Sequence, residues 1–242
     1  MSSSRATLQL KPAPPFDFAK SLRFVERFSP SAGEQRIDEY MLCKAFNIAG
    51  VPVVAKIRAH GSAEAPSLAV ELFAKRPLSD KKIEATRERI THYLSLDVDL
   101  LPFYDLARRD PVMAPLIERG YGFHQVRFPT PFENAVWAVL GQRAPAKIAR
   151  SAKDRVTAHF GVALELDGTT YRAFPEARVL AVVSKDALAD AVRNVRKLPY
   201  VRAVALAFAD VDEAWLHEGP YDDVRSWLRA IDGIGDWSAA FV

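Results

Sequence analysis

The chain has 242 residues and a formal net charge of +3 at pH 7, with 49% hydrophobic and 26% charged residues. This composition is ordinary for a globular protein of one large or two small domains, and the mild positive charge permits nucleic-acid binding without requiring it. The single cysteine, Cys43, excludes an internal disulfide and any four-cysteine iron–sulfur cluster. The five histidines lack metal-ligand spacing, so we expect no zinc, no iron and no other cofactor.

The first 95 residues predict an antiparallel α/β domain. Residues 1 to about 12 have the composition of a frayed tail, and residues 17–28 have the apolar spacing of an amphipathic helix. A helix with a charged outer face, from residue 79 to about residue 94, ends this domain. Between the two helices lie three strand-like runs separated by turn-forming residues. The three runs cover residues 37–49, 51–59 and 67–74.

Residues 96–242 predict a mainly helical domain, so the expected fold class is α+β. A turn containing aromatic residues, at residues 166–175, interrupts the helical pattern. Proline and N-capping residues mark the helix starts. The segments are predicted to start near Asp99, Pro111, Thr130, Pro145, Pro175, Ser184, Pro199 and Pro220.

Near its C-terminus the chain has two glycines that flank one isoleucine, as Gly233-Ile234-Gly235. Residues 221–230 before them have apolar side chains at helical spacing, and Ser238-Ala239-Ala240 after them favours a second helix. This pattern is typical of a hairpin that binds a nucleic-acid phosphate through backbone N–H groups, with the isoleucine filling the cleft between the helices. An ordinary turn between two helices is the alternative interpretation.

A second informative block covers residues 128–143, with the sequence FPTPFENAVWAVLGQR. Thr130 is a predicted N-cap, and Glu133 completes a T-x-x-E capping box. The apolar residues that follow share one helical face, which predicts a capped amphipathic helix ending near Gly141.

Basic residues follow this helix at regular spacing. Arg143, Lys147 and Arg150 recur at i, i+4 and i+7, which predicts a basic stripe able to face phosphates. The alternative for the same charges is a solvated helix face.

Together these blocks resemble the helix-hairpin-helix (HhH-GPD) superfamily of DNA glycosylases, and most of all its bacterial 3-methyladenine DNA glycosylase II type. The resemblance covers most of the chain, including residues 95–133, the Leu140-Gly141-Gln142 segment and residues 231–239. It implies an N-terminal domain of TATA-binding-protein-like topology at residues 1–95, then a helical glycosylase domain at residues 96–242 with the hairpin at 221–242. The implied activity is hydrolysis of the N-glycosidic bond of alkylated bases in double-stranded DNA after base flipping.

The resemblance also assigns a base pocket and a segment that enters the DNA. Trp237 matches the family's base-stacking tryptophan, and Phe241 matches a pocket position usually held by tyrosine. Gln142 matches the residue that enters the gap left by the flipped base. Arg143 stands beside it, where an apolar or amide side chain is commoner, so Arg143 departs from the family pattern.

Further matches and departures lie around the hairpin. The backbone carbonyls of Arg229, Ile231 and Gly233 correspond to oxygens that coordinate an alkali cation in relatives. Asp236 stands where a basic residue is frequent, and an acid at this position is expected to weaken DNA binding slightly.

In this family the catalytic aspartate lies one helix beyond the hairpin, which places it past Val242, so no catalytic residue is assigned in this chain. We therefore expect the chain to be a fragment of a longer glycosylase and to be inactive by itself. The lyase lysine of some relatives directly follows the hairpin, where this chain has Asp236-Trp237. This departure implies a monofunctional glycosylase.

Two alternatives remain open at the level of sequence. One is a non-catalytic DNA-damage-binding protein on the same fold, and the other is a helical interaction protein whose glycine turn is only structural. For the favoured glycosylase we expect a monomer in the cytoplasm, associated with the nucleoid. We expect no membrane association, because no apolar stretch reaches membrane-spanning length and the first residues lack the apolar core of a secretory signal.

Overall fold

The computed structural model describes residues 4–31, 33–38 and 40–242 and has the expected α+β architecture, with a five-stranded antiparallel sheet and many helices. Its contacts divide the chain into two compact units. The first comprises the residues up to Ile48, Val53–Arg127 and Leu164–Tyr171, and the second comprises Ala49–Pro52, Phe128–Ala163 and Arg172–Val242. The proposed domain boundary at residues 95 and 96 stays a prediction, since proximity within a unit does not test independent folding.

The sheet of the first unit has the strand order β1-β5-β4-β3-β2. Alternating burial along β5 places Leu68, Val70 and Leu72 on the covered face, as expected for a half-buried antiparallel strand. The strands are β1 (Ser4–Leu10), β2 (Gln35–Asp38), β3 (Met41–Ile48), β4 (Val51–Gly61) and β5 (Pro66–Ala74).

The N-terminal segment corrects one expectation. We predicted a frayed tail over residues 1 to about 12, yet Ser4–Leu10 forms an edge strand that pairs with β5 in the register Leu8 to Val70. Leu8 and Leu10 are buried, so the apolar residues of this short alternating segment hold it on the sheet. Residues 1–3 lie outside the described residues.

The predicted strand over residues 37–49 is also corrected, because the chain turns within it. β2 ends at Asp38 and β3 begins at Met41, and the two pair antiparallel with Asp38 opposite Met41. A single uninterrupted strand cannot reverse direction, and Tyr40 lies in a turn between β2 and β3.

The helices of the first unit begin at or near their predicted starts. Helix α1 (Phe18–Arg27) begins after Asp17, whose carboxylate accepts a hydrogen bond from the Lys20 N–H at 3.3 Å. Helix α2 (Asp80–Leu94) begins after Ser79, and two short helices, α3 (Leu101–Ala107) and α4 (Ala114–Gly120), follow it.

The second unit consists mainly of helices, and several of the predicted starts are confirmed. Thr130, Pro145, Ser184 and Pro220 are each the N-cap residue of a helix. The helices are α5 (Pro131–Gly141), α6 (Ala146–Phe160), α7 (Ala177–Val182), α8 (Lys185–Val192), α9 (Leu198–Asp210), α10 (Glu213–Glu218), α11 (Tyr221–Arg229) and α12 (Asp236–Phe241).

The expected turn at residues 166–175 is part of a β-hairpin. Strands β6 (Val162–Leu166) and β7 (Thr169–Ala173) pair with each other around Asp167 and Gly168, both of which have positive φ. Asp-Gly is a preferred pair for such a two-residue hairpin turn, which is the signal that the helical interpretation overlooked.

The core of the second unit surrounds α5 and contains one buried ion pair. The Thr130 hydroxyl accepts a hydrogen bond from the Glu133 N–H at 3.0 Å, as the capping box predicts. The Glu133 carboxylate points inward, where it lies 2.7 Å from Lys153 Nζ, and the two side chains are 3% and 0% exposed. Two charges removed from water in this way tie α5 to α6.

Within the residues described, no helix is both long and apolar enough to cross a lipid bilayer.

Candidate nucleic-acid interface

The C-terminal hairpin consists of α11, a turn and α12. Leu228, Ile231 and Ile234 are buried in the core of the second unit, so they fix the two helices to it. The Ile234 side chain is 5% exposed and therefore fills the cleft between the helices. Its predicted contribution to DNA binding is accordingly restricted to its backbone.

The two hairpin glycines have different roles. Gly233 has a φ of +92°, and a Cβ atom on it would lie 2.6 Å from Cβ of Tyr200, so both the backbone angle and the space require glycine. Gly235 has a φ of −96° and open space around the position of a Cβ. Gly233 therefore forms the tight turn, whereas Gly235 leaves the outer surface of the turn free of side-chain atoms.

A group of four aromatic rings has its exposed end on α12. Trp237 is 68% exposed and stacks on Phe241, with ring centroids 5.0 Å apart and ring planes 12° apart. The edge of Phe128 meets Phe241 at 6.3 Å, and Phe128 in turn lies 6.4 Å from Trp137. We refer to these four rings as the aromatic shelf. An exposed tryptophan that contacts another ring presents a flat apolar surface suited to stacking on a planar ligand.

The local sequence explains the orientation of the shelf. Ser238 and Ala239 are the buried residues of α12, so Trp237 and Phe241, four residues apart, share the outer side of the helix. The Asn134 amide of α5 donates a hydrogen bond to the Phe241 carbonyl at 2.8 Å and holds the end of α12 in place. Phe128 and Trp137 were missed from sequence. The only sequence feature that pointed to these two residues was their location in residues 128–143, the block that contains the capped helix.

The segment predicted to enter the DNA is a loop, residues 142–145, between α5 and α6. The Gln142 amide donates to the Gly233 carbonyl at 2.7 Å and to the Ser238 hydroxyl at 3.2 Å, which joins this loop to the hairpin. Arg143 is exposed and has a φ of +48°, an unusual angle for a residue with a side chain. The DNA-entry roles of both residues stay predictions.

The predicted basic stripe needs correction. α6 begins only at Ala146, so Arg143 lies in the loop and not on the helix with Lys147 and Arg150. Lys147 and Arg150 are three residues apart on the first turns of α6 and keep their common face. The prediction of one continuous helical face over these three residues was wrong because α6 begins only after its N-cap Pro145.

Lys197 contacts the end of α5, next to this loop. Its ammonium group donates a hydrogen bond to the Leu140 carbonyl in the last turn of α5. Burial lowers the pKa of Lys197, because removal from water disfavours the charged form. The contact satisfies a carbonyl that the helix end leaves without a helical partner.

Asp236 is surrounded by positive charge. Its Oδ1 atom lies 3.0 Å from Nη2 of Arg225 and 3.0 Å from Nε of Arg229, one turn apart on α11. We refer to these three residues as the Arg–Asp–Arg cluster. The acid that was expected to weaken DNA binding is therefore compensated by two arginines, which sequence reasoning did not connect with it.

Two of the three carbonyls predicted to coordinate an alkali cation already have hydrogen-bond donors. The Gly233 oxygen accepts from Gln142, and the Ile231 oxygen accepts from the Ile234 N–H at 3.0 Å. A cation would have to share these oxygens or displace Gln142, so the cation site at Arg229, Ile231 and Gly233 stays a prediction. Across the described part of the chain, no three or more His, Cys, Asp or Glu side chains are grouped to hold a metal ion.

Comparisons with known proteins agree with this fold. No protein-family profile matches the chain. It is 32% identical over 169 residues to the DNA-3-methyladenine glycosylase of Bacillus subtilis, a match covering 69% of this chain and 56% of that protein. The chain spans a little over half the length of the curated relatives it matches.

Solved structures extend the likeness over nearly the whole chain. The 3-methyladenine DNA-glycosylase from Archaeoglobus fulgidus superposes with a TM-score of 0.77 at 19% identity, covering 96% of this chain and 77% of that one. The Clostridium acetobutylicum 8-oxoguanine glycosylase/lyase bound to double-stranded DNA superposes with a TM-score of 0.66 at 13% identity, covering 99% and 76%. The chain belongs to the helix-hairpin-helix superfamily of DNA glycosylases.

Proposed function

We propose that the full-length product of this reading frame is a DNA glycosylase that removes alkylated, 3-methyladenine-type bases from double-stranded DNA. The observation that carries the proposal is the position of Trp237, which is exposed, stacked on Phe241 and located at the start of the second hairpin helix. The relationship to the Bacillus subtilis DNA-3-methyladenine glycosylase supports the same substrate class.

The chemistry of the shelf favours a cationic base. An enzyme acting on a base within a duplex first rotates the nucleotide out of the stack. A flipped base can then stack on the free face of Trp237, whose other face meets Phe241. Alkylated purines of this type carry positive charge, and an electron-rich indole attracts a cation more strongly than it attracts a neutral base.

The same charge simplifies the bond cleavage. A cationic base is a good leaving group, so breaking the N-glycosidic bond requires little proton donation to it. The sugar develops oxocarbenium character, which a nearby carboxylate stabilises while water attacks. The proposal assigns no residue of this chain to that carboxylate. Because Asp236-Trp237, and not a lysine, follows the hairpin, we propose hydrolysis without lyase activity.

Binding to the duplex is assigned to the loop and the hairpin. The outer surface of the turn at Gly235 allows a DNA backbone to approach closely, and Arg143 with Lys147 supplies positive charge for phosphates. Gln142 is proposed to fill the space that the flipped base leaves. We propose a monomer acting on chromosomal DNA in the cytoplasm.

The test is release of 3-methyladenine from methylated duplex DNA by the full-length product, compared with duplex containing 8-oxoguanine. Trp237→Ala should lower the rate about 5- to 150-fold, since stacking contributes about 1–3 kcal/mol per base. Trp237→Phe is the matched control and should retain most of the activity because a ring remains. Borohydride should trap no covalent complex with DNA, since no lysine is assigned to attack the sugar.

Each arm of the experiment can contradict one part of the proposal. Preferential release of 8-oxoguanine would contradict the substrate class, and a borohydride-trapped complex would contradict the absence of lyase activity. Tight binding to damaged duplex without release of any base would favour the alternative of a non-catalytic damage-binding protein.

A further inference from the structure

Two amide side chains from opposite ends of α5 hold the two ends of α12. Gln142, which follows the last residue of α5, donates a hydrogen bond to the Ser238 hydroxyl near the start of α12 at 3.2 Å. Asn134, near the start of α5, donates to the Phe241 carbonyl at the end of α12 at 2.8 Å. The Phe241 ring, on which Trp237 stacks, therefore belongs to the end of α12 that Asn134 holds.

The orientation of the Asn134 amide follows from its partner. A carbonyl oxygen only accepts hydrogen bonds, so the amide nitrogen has to face Phe241 and the amide oxygen, Oδ1, has to point away from it. This Oδ1 atom is inaccessible to solvent, and it accepts no hydrogen bond from any residue that the structure describes. A buried acceptor without a donor destabilises a folded protein.

Stability does not explain why an asparagine stands at this position. Asparagine has a lower helix propensity than leucine or alanine, and here its oxygen is buried without a partner. Its hydrogen bond to Phe241 lies at the protein surface, where water could replace the amide as the donor. A residue whose local energetics are unfavourable in this way is more often found at functional sites.

The contact of Asn134 matters most for the aromatic shelf. Helix α12 comprises only Asp236–Phe241, and a helix this short is not stable by itself. The last carbonyls of any helix have no helical partner, so an external donor at Phe241 keeps the final turn from fraying. The backbone of Phe241 sets the direction of its ring, and this ring supports the inner face of Trp237.

Binding of DNA increases the importance of this contact. Gln142 is proposed to fill the space that the flipped base leaves, and its amide then has to release Ser238. Of the two amides that hold α12 in the free protein, Asn134 is the one that remains in place while a base lies on the shelf.

We propose that Asn134 is a positioning residue for base recognition. Its amide fixes the end of α12, so that Trp237 and Phe241 stay stacked while a flipped base lies on the free face of Trp237. Because the shelf is already ordered, the base does not have to order it, and more of the stacking energy holds the base out of the duplex. This inference rests on the proposed function, since it requires a flipped base on Trp237.

The first test is ¹⁹F NMR of the 242-residue chain labelled with 5-fluorotryptophan, which gives one signal for each of the four tryptophans. Trp237→Phe identifies the Trp237 signal, and Phe241→Ala gives the position of that signal without a stacked ring. Asn134→Leu removes the amide but keeps the shape of the side chain, and it should move the Trp237 signal toward the Phe241→Ala position. The melting temperature should stay within about 2–4 °C of wild type, since the loss of one surface hydrogen bond is offset by removal of a buried acceptor.

Two further variants control this measurement. Gln9→Leu replaces another amide by leucine on the exposed side of β1 and should leave all four signals unchanged. If Asn134→Leu folds poorly by circular dichroism, Asn134→Ala removes the same amide without adding bulk and should move the Trp237 signal in the same direction.

The second test is release of 3-methyladenine from methylated duplex DNA by the full-length product under single-turnover conditions. With protein in excess over DNA, the rate constant does not depend on the fraction of active molecules. Asn134→Leu should lower this rate constant about 2- to 12-fold, the range that corresponds to one hydrogen bond. The protein concentration that gives half of the maximal rate should not change, because the loop and the hairpin assigned to duplex binding are untouched.

The outcomes separate this inference from the proposed function. If wild type releases 3-methyladenine and Asn134→Leu keeps both the Trp237 signal and the rate constant, the inference is overturned while the proposed function stands. If all four signals move and the melting temperature falls by more than about 4 °C for both Asn134 variants, Asn134 only stabilises the fold and the inference is likewise overturned. If the Trp237 signal moves as expected but wild type releases no base, the proposed function fails and the contact still positions the shelf.

Discussion

Two charged groups connect pairs of helices in the second unit, and they differ mainly in their contact with water. The Glu133–Lys153 pair joins α5 to α6 at 2.7 Å with side chains 3% and 0% exposed. The Arg–Asp–Arg cluster joins α11 to α12 at 3.0 Å with side chains 39–64% exposed. The distances are similar, so distance alone does not indicate what each group contributes.

Burial decides the role of each group. Lys153 also lies 5.5 Å from the centroid of the Phe174 ring, so its ammonium group has given up water for one carboxylate and an aromatic face. Such a pair cannot exchange its partner without exposing an unpaired charge to the core. The arginines of the cluster remain hydrated, so loss of their partner leaves no charge in the core. Buried charges therefore fix the fold, whereas exposed charges remain available to a ligand.

The largest expected effect tests the buried half of this comparison. Lys153→Met removes the cation beside the buried Glu133 carboxylate and should lower the free energy of unfolding by about 3–5 kcal/mol, measured by urea denaturation. The double variant Lys153→Met/Glu133→Leu removes both charges and should recover most of that loss. A loss below about 1 kcal/mol for the single variant would mean that burial does not distinguish the two groups.

The two hairpin glycines provide a second test, because one is required for the stability of the fold and the other keeps the surface of the turn accessible. Gly233→Ala should destabilise the protein by about 1–3 kcal/mol, because φ is +92° and the new Cβ meets Tyr200. Gly235→Ala should change stability by less than about 0.5 kcal/mol, since its φ of −96° suits alanine and its surroundings are open.

For DNA binding the order is reversed, because Gly235→Ala should act directly on the binding surface, whereas Gly233→Ala should act through the stability of the fold. Gly235→Ala should weaken binding without lowering the melting temperature, because its methyl group stands on the surface assigned to the DNA backbone. Equal melting temperatures for the two variants would contradict the distinct roles that their backbone angles give them.

These residues also show what the sequence could predict. Thr130 and Ser184 were identified as helix starts because a capping side chain acts within one helical turn. Trp237 and the hairpin were found because their signal is a short contiguous motif. Local patterns of this kind predicted the α+β class and the order of most helices.

Contacts between distant segments had no comparable signal. Glu133 and Lys153 are twenty residues apart on different helices, and either could have been a solvated charge. The partner of β1 is β5, whose paired residues lie 58 to 70 positions further along the chain, so the short alternation at residues 4–10 was taken for a tail. The two arginines around Asp236 were missed for the same reason, since the turn and not the helical period brings them together.

A smaller effect tests the exposed half of the comparison. Asp236→Asn should change the free energy of unfolding by less than about 1 kcal/mol, as for other exposed ion pairs. In 1 M salt, where the Debye length is about 3 Å, even this change should disappear, whereas the cost of Lys153→Met should persist. Chemical denaturation in urea at two salt concentrations measures both differences.

The smallest effect at neutral pH concerns a buried neutral group in the first unit. Burial raises the pKa of Tyr171 to about 12, helped by a hydrogen bond with Cys43, whose own pKa burial also raises. The unfolded chain releases the Tyr171 proton near pH 10, so stability should fall as pH rises from about 10 to 12. Tyr171→Phe should flatten that part of the pH profile and leave stability at pH 7 nearly unchanged. A profile identical to wild type would mean that Tyr171 titrates normally.

If Gln142 enters the duplex as proposed, its side chain must first give up its hydrogen bonds within the protein, and this cost must be met at each site along the DNA. In the free protein it bonds to Gly233 and Ser238, and each hydrogen bond contributes about 0.5–1.5 kcal/mol net. A fully stacked duplex offers the amide no replacement partners at the helix interior. The orphaned base opposite a flipped nucleotide offers both a donor and an acceptor. The hairpin and the DNA thus compete for the Gln142 side chain. Only a duplex whose base stack is interrupted offers hydrogen bonds that replace those to Gly233 and Ser238, and this selection precedes cleavage of any covalent bond.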